Sequence, residues 1–506
     1  MLRIIKTENG LVRGLPAADP RITSFKGIPF AAPPTGENRW RAPQPCANWD
    51  GIRDCYTFAP ISVQDTPALG TDIYCREWHV DSEIPMGEDN LYLNIWTSTK
   101  TGDEKMPVLV WYFGGGFQWG YTAEMEFDGE RLARRGIVVV TVNYRLGALG
   151  FLAHPELTAQ QPDAPANFGS LDQQYGLEWV IRNIAAFGGD PKNITIAGQS
   201  AGGGSVMAQM ACNKNEGRFQ KAIVLSGMIR PPYAPNPFMV PKTLAEAEKL
   251  GTAFFDFLGV KTLAEARALD AFYIRDKYAE FRVDHSCMFT IIQDNCFCDE
   301  DPMLKFARGT RVRVPVMAGN TGNEFRAFLP AKNEVELREM AEKVFGDEAG
   351  TFLSFPEAHV KTDMGYAPVS AIESAVKAAF LGEEKQENPN ASYYYLFDPD
   401  IPGDDNPGTF HSCDLWFWFE TLAKCSRAYR GHHYDLARQM SMYWVNFIKT
   451  GDPNGNDADG TPLPRWESYT SANRGEMHFL SEGAVPAKET GAFKAFLNDE
   501  LLKTLE

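Results

Sequence analysis

The chain has 506 residues, 44% hydrophobic and 23% charged, an ordinary globular composition that excludes a disordered polymer. Its 49 basic and 66 acidic side chains leave a net charge of −17, so neither nucleic acid nor an anionic membrane is an expected partner. At about 150 residues per domain the length allows about three domains, and no run of about 18 apolar residues would cross a bilayer.

Met1–Gly10 lacks the apolar core of a secretory leader, which makes a cytoplasmic location the expectation. Cysteines stand at 46, 55, 75, 212, 287, 296, 298, 413 and 425. An odd, irregular set fits free thiols in a reducing compartment better than a disulfide framework.

In chain order, residues 91–96, 108–113 and 137–144 are apolar β-rich runs and are predicted as strands. A helix is predicted over 171–187, where Leu177, Val180, Ile181 and Ile184 share one face. Strands are predicted at 194–197 and 222–226, helices at 244–258 and 263–281, and a strand at 314–319. Helices at 334–345 and 367–381, a strand at 393–397, and helices at 434–450 and 492–505 complete the pattern. Near-continuous apolar strands alternating with helices predict an α/β fold with a large, mostly parallel sheet flanked by helices. Residues 230–385 are helix-rich and read as insertions forming a lobe over one end of that sheet.

Gly198-Gln199-Ser200-Ala201-Gly202 is a G-x-S-x-G pentapeptide between the strand at 194–197 and a small-residue run. In that context it reads as a strand-to-helix turn presenting a nucleophilic serine at a helix N-terminus. By itself the pentapeptide is equally a glycine-rich structural turn. Gly114-Gly115-Gly116-Phe117 directly follows another predicted strand. Three successive glycines suit a loop that offers several N–H groups to one oxyanion; the alternative is a plain flexible turn.

Residues 187–202, Phe-Gly-Gly-Asp-Pro-Lys-Asn-Ile-Thr-Ile-Ala-Gly-Gln-Ser-Ala-Gly, resemble the serine signature of type B carboxylesterases, the cholinesterase-like branch of the α/β-hydrolases. Residues 88–94, Glu-Asp-Asn-Leu-Tyr-Leu-Asn, resemble that family's second signature. Residues 25–31, 33–36, 143–145 and 167–173 continue the resemblance, which runs from about residue 3 to 470. It implies an α/β-hydrolase fold with a gorge, no metal or organic cofactor, a small-molecule ester substrate, and a catalytic Ser–Glu–His triad. By position in the motifs, Ser200 corresponds to the nucleophile, Glu324 to the acid and His411 to the base. Gly115, Gly116 and Ala201 correspond to the oxyanion donors, and Ser226 to the serine that the family sets near the acid and base. Three triad residues spread along the chain must meet in one site, so a single catalytic domain over residues 1–506 is expected.

The chain departs from the family in places. Asn90 stands where secreted members carry a disulfide cysteine, and Phe113 where His or Tyr often precedes the glycines. Trp78 lies near, not at, the position of the choline-stacking tryptophan, so the resemblance does not extend to quaternary-ammonium substrates. Phe113, Phe117, Phe289, Phe297 and Trp416 are candidates to line the substrate pocket, with core packing the alternative for Phe289, Phe297 and Trp416. His285, Cys287, Cys296 and Cys298 lack a usual zinc spacing. The expected function is hydrolysis of short-chain alkyl or aryl esters through an acyl-enzyme. A specialised feruloyl, acetyl-sugar or lactone hydrolase is the nearest alternative. A non-catalytic cholinesterase-like binding protein is more remote, because Ser200, Glu324 and His411 are all present.

Overall fold

Runs such as Val108–Val110 alternate their side chains between the two faces of a strand, and here both faces are apolar. The result is a sheet buried on both sides. A computed structural model describes residues 1–229, 240–386 and 389–506. Its strands are β1 (Ile4–Lys6), β2 (Leu11–Arg13), β3 (Leu15–Pro16), β4 (Thr23–Pro29), β5 (Ile52–Asp54), β6 (Tyr92–Thr97), β7 (Met106–Tyr112), β8 (Val138–Val142), β9 (Gly189–Gln199), β10 (Lys221–Leu225), β11 (Val316–Thr321), β12 (Ser392–Phe397), β13 (Gly475–Leu480) and β14 (Gly483–Lys488). β1, β2 and β5 form a small sheet, and the other eleven form one sheet in the order β14-β13-β12-β11-β10-β9-β7-β8-β6-β4-β3. From β8 to β13 all neighbours are parallel, and antiparallel strands close both edges.

Strand β7 shows how the layers divide. Val108, Val110 and Tyr112 join one core, with Leu177 and Val180 of the helix Phe168–Asn183 and Val206 and Met210 of the helix Ala201–Ala211. Leu109 and Trp111 face the other way, toward Leu436, Met440 and Trp444 of the helix Gly431–Thr450. A third cluster joins Phe254, Ile274, Tyr278 and Phe281 to Phe117 and Ala201, so the helices Leu244–Leu258 and Ala271–Asp284 sit over the C-terminal end of β9.

All seven strands expected from the sequence form, within a few residues at most ends. The two outermost strands at each end of the large sheet, β14 with β13 and β3 with β4, are not among the strands expected from the sequence. β14 carries Pro486, which only an edge strand tolerates readily, and β13 hides the buried charge of Glu476. The helix expected over 263–281 is two helices, Leu263–Arg267 and Ala271–Asp284, because the Asp270 carboxylate caps the N–H groups of Phe272 and Tyr273. The helix expected from 367 starts at Ala371, where the Ser370 hydroxyl accepts the Ile372 N–H. Residues 230–239 of the expected insertion lie outside the described residues. The rest of it contributes β11 to the middle of the sheet. No helix among the described residues is long and apolar enough to cross a membrane.

The β13–β14 edge is tied to the helix Ala371–Glu384 by one buried cation. Lys377 Nζ contacts Glu373 at 2.7 Å, Glu476 at 2.6 Å and Glu489 at 2.8 Å. Lys494 and Arg474 neutralise the surplus from outside. Removing one member of a buried ion cluster leaves uncompensated charge. Lys377→Met is therefore expected to cost about 3–5 kcal/mol of unfolding free energy in urea titrations.

Candidate active site

Ser200 sits between β9 and the helix Ala201–Ala211, at φ +55° and ψ −122°. That conformation is strained for a residue with a side chain. It is held by the Ser200 N–H, which donates to Leu225 O at 2.9 Å, and by the Ser200 carbonyl, which accepts from Gly204 N–H at 2.8 Å. The flanking glycines are steric necessities. A Cβ on Gly198 would lie 2.3 Å from Gly202 O, and one on Gly202 would lie 2.1 Å from Tyr112 O. The helix N-terminus behind Ser200 favours negative charge at its Oγ.

After β7 the chain turns through Gly115 at φ +103° and Gly116 at φ +62°. A Cβ on Gly115 would sit 2.2 Å from Trp119 O, and Gly115 O accepts from Gln118 N–H and Trp119 N–H, both at 2.9 Å. Among the described residues, no protein acceptor takes the N–H of Gly115, Gly116 or Ala201. All three residues line one cavity with Ser200 and His411. Its volume is about 900 Å³.

Glu324 follows β11 and is buried. Its Oε1 accepts from the Ser226 hydroxyl at 2.6 Å and from Thr321 N–H at 2.8 Å, and its Oε2 is paired with His411 Nδ1. Ser226 follows β10 at φ +47°, with its N–H on Gly319 O. The Tyr74 hydroxyl donates to His411 O at 3.2 Å. Burial disfavours the imidazolium of His411, but the adjacent Glu324 carboxylate outweighs it and raises the pKa above the ordinary 6.5. Asp414, fully buried three residues further on, is pushed up to about 6 by burial and by Glu324. Its Oδ2 accepts from the Tyr395 hydroxyl at 2.9 Å and from Trp418 Nε1 at 3.1 Å.

With Nδ1–H donated to Glu324, His411 Nε2 is an acceptor. It faces Gln199 Nε2 at 3.2 Å, and Ser200 Oγ makes no hydrogen bond to it in this arrangement. Gln199 carries no role in the sequence reading, because its side chain reaches His411 only through a loop 212 positions away.

Of the expected pocket aromatics, only Phe117 lines the cavity. Phe113 is stacked on Tyr144 at 4.3 Å, because strand alternation carries it into the layer of Leu109 and Trp111. Phe289 is stacked on Tyr278 at 5.0 Å, and its N–H donates to the Tyr278 hydroxyl. Phe297 is buried in the same cluster of apolar helices. Trp416 is buried behind Leu415, which takes the cavity-facing place in that helix. The apolar wall comes instead from Trp78, Trp119, Phe127, Met207, Ile291 and Phe325. Tyr74 and Phe127 lie in stretches the sequence reading did not place at the cavity, and Trp78, read there as near but not at the choline-stacking position, lines it as well.

The structure does not gather His285, Cys287, Cys296 and Cys298 around a common point. His285 is stacked on Phe281 at 3.9 Å, and the Cys296 thiol donates to Pro162 O. Ligand atoms cluster closely at Asp400, His432 and His433, and at Glu373, Glu476 and Glu489, where Lys377 fills the space. His433 Nδ1 accepts from Arg430 N–H and its Nε2 donates to Asp400 O, so neither nitrogen is free for an ion.

A mostly parallel sheet with a strained serine between strand and helix is the α/β-hydrolase fold, and solved structures agree. A thermophilic PNB esterase superposes with a TM-score of 0.79 at 26% identity, over 99% of this chain and 100% of that one. The carboxylesterase family model matches residues 2–352 and 362–496. The chain belongs to that family and is a carboxylic ester hydrolase. It is 33% identical over 500 residues to the fumonisin B1 esterase of Sphingopyxis macrogoltabida, covering 93% of this chain and 85% of the relative. It is 30% identical over 509 residues to the para-nitrobenzyl esterase of Bacillus subtilis, covering 95% of each.

The glycine contacts can be tested by substitution. Gly202→Ala drives its Cβ onto a backbone carbonyl and is expected to cost about 1–3 kcal/mol of stability in thermal or urea unfolding. Gly204→Ala meets nothing closer than Phe117 Cζ at 3.5 Å and is expected to unfold like the unaltered chain.

Proposed function

We propose that the chain hydrolyses short-chain alkyl or aryl carboxylic esters through an acyl-enzyme on Ser200, with His411 as general base and Glu324 as its orienting acid. The observation that carries this reading is the Glu324–His411 pair, set in one cavity with a strained serine and three unengaged N–H groups. A bound ester displaces the Gln199 amide from His411 Nε2, and the imidazole turns to Ser200 Oγ. The oxygen then attacks the carbonyl carbon as its proton passes to Nε2. Glu324 holds the tautomer and stabilises the imidazolium that forms. The carbonyl oxygen, now negative, accepts from the N–H groups of Gly115, Gly116 and Ala201, each such donor being typically worth about 2.7–4 kcal/mol. His411 returns the proton to the leaving alcohol. A water activated by the same nitrogen then releases the acid and restores Ser200.

Ser226 acts through Glu324. Its hydroxyl and the Thr321 N–H fix one carboxylate oxygen so that the other faces His411. The mixed apolar and polar wall, with Trp119, Phe325 and Leu415, suits alkyl and aryl groups of modest size.

Ser200→Ala is expected to abolish hydrolysis of p-nitrophenyl acetate, and an organophosphate is expected to label Ser200. Retained turnover, or a label on another residue, would sink the nucleophile assignment. Protonated His411 cannot accept the Ser200 proton, so activity is present above the His411 pKa and lost below it. Because Glu324 raises that pKa, kcat/KM is expected to fall toward acid with a midpoint above 6.5.

A further inference from the structure

Of the glycines on either side of Ser200, Gly198, Gly202 and Gly203 are forced by their neighbours. A Cβ on them would meet backbone atoms at 2.3, 2.1 and 2.9 Å respectively. Gly204 is different. A Cβ there meets nothing closer than Phe117 Cζ at 3.5 Å, which is ordinary contact. Its backbone is ordinary helix, with no positive φ. Every residue except proline suits a helix interior better than glycine, so the packing of the protein does not account for a glycine at 204.

What the missing side chain leaves is open cavity. Gly204 is half-buried and lines the cavity of Ser200 and His411, as does Met207 one turn on along the same helix face. The neighbouring Phe117 is held in place. Its ring packs edge-on against Phe151 at 5.2 Å, and its carbonyl accepts from Gly147 N–H at 2.8 Å. Ile291 and Met303 continue this wall. The helix Pro302–Ala307, which carries Met303, is pinned to the end of the helix Ala201–Ala211 by Lys305 Nζ, donating to Ala211 O at 2.8 Å. Asp301 beside it is turned to its own helix, with Oδ1 accepting from Met303 N–H at 2.9 Å. Ile291 is steadied by its neighbour Ile292, whose N–H and carbonyl both bond the Asn167 side-chain amide at 2.9 Å. The walls are fixed and apolar, and the two methionines have side chains that adapt to a run of carbons.

Ester chemistry decides which part of the substrate goes there. The leaving oxygen must sit beside His411 Nε2 to be protonated, and the carbonyl oxygen must face the N–H groups of Gly115, Gly116 and Ala201. The acyl substituent takes the remaining direction, away from His411. Around His411 stand Tyr74, bonded to its carbonyl, and Phe325, with ring centroids 5.5 Å apart. Gly204 and Met207 instead lie one and two turns along the helix that starts behind Ser200.

We infer that the acyl chain of the substrate runs past Gly204, beside the Phe117 ring, toward Met207 and Met303, and that the missing side chain at 204 is what admits it. The inference rests on the esterase reading above and deepens it by naming the acyl class. Met207 is seven positions beyond Ser200, about 10 Å of helix at about 1.5 Å per residue. An extended chain advances about 1.2 Å per bond, so the passage takes an unbranched aliphatic acyl group of about six to eight carbons.

The test uses two isomeric esters, ethyl hexanoate and hexyl acetate, which carry the same six-carbon run on opposite sides of the ester linkage. Hydrolysis by the whole protein is followed by titration of the released acid. The unaltered protein is expected to turn over ethyl hexanoate. In Gly204→Leu, kcat/KM for ethyl hexanoate relative to hexyl acetate is expected to fall about tenfold or more, the scale on which an apolar pocket discriminates by a methylene. Gly204→Ala is expected to move the ratio the same way by less. Both variants are checked by thermal unfolding, and if the leucine variant does not fold, the alanine variant decides. An unchanged ratio, equal loss of both esters or a larger loss of hexyl acetate would overturn the inference. So would an unaltered protein that leaves ethyl hexanoate intact. Ser200→Ala is assayed with the same esters. Turnover retained there rejects the nucleophile reading, whereas turnover lost there, with a ratio indifferent to residue 204, rejects the acyl assignment alone.

Discussion

The Tyr112 carbonyl lies where a side chain on residue 202 would have to be, 2.1 Å from its Cβ. β7 and the turn after β9 therefore meet only through glycine, and the rest of the site hangs on that close approach. It brings Ser200 to the C-terminal edge of the sheet beside the loop of Gly114–Gly116. A Cβ on Gly114 would lie 2.7 Å from Gln199 O, so the loop presses on the same turn. On the far side, Gly203 and Gly227 pack together, a Cβ on Gly227 falling 2.5 Å from Gly203 Cα. Backbone touching backbone leaves no side-chain freedom to blur the position of Ser200. Such contact sustains a φ of +55° that an isolated chain would relax.

Around this fixed point the molecule handles buried charge in three ways. Lys377 is surrounded by three carboxylates and serves the packing of an edge. Arg145 and Asp172 pair at 2.6 Å in the core and also bond the Arg41 carbonyl and Arg145 N–H, which locks the loop after β8. At the active site, Glu324 is satisfied by donors on one oxygen and directs the other at His411. The first two are structural because every charge finds its opposite. The third is poised for chemistry because His411 Nε2 is left facing the cavity.

The net charge of −17 at first argues only about partners to avoid. The cavity gives it a location. Among the described residues its lining holds Asp65, Asp72, Glu124, Glu126, Asp276 and Asp301 against one arginine, Arg275.

Glu324 and His411 were reached only through the family resemblance, while the sequence by itself determined the strands in chain order and the turn that carries Ser200. Those signals are local. Apolar runs end in glycine, and G-x-S-x-G is required by contacts within a few residues of the serine. The break at Asp270 was also written locally, in a capping carboxylate that an apolar period across 263–281 conceals. The outer strands β13 and β14 were less legible, because they carry only Met477, Phe479 and Ala484 into the core and are tied down by Lys377 and by pairing with each other. Only the tertiary structure decided what faces the cavity. Phe113, Phe289, Phe297 and Trp416 are aromatic and near the motifs, yet they turn into the cores, while Trp78, Glu124 and Glu126 form the wall. Which way a side chain points depends on the layer its element packs against, and that is set by residues far away in the chain.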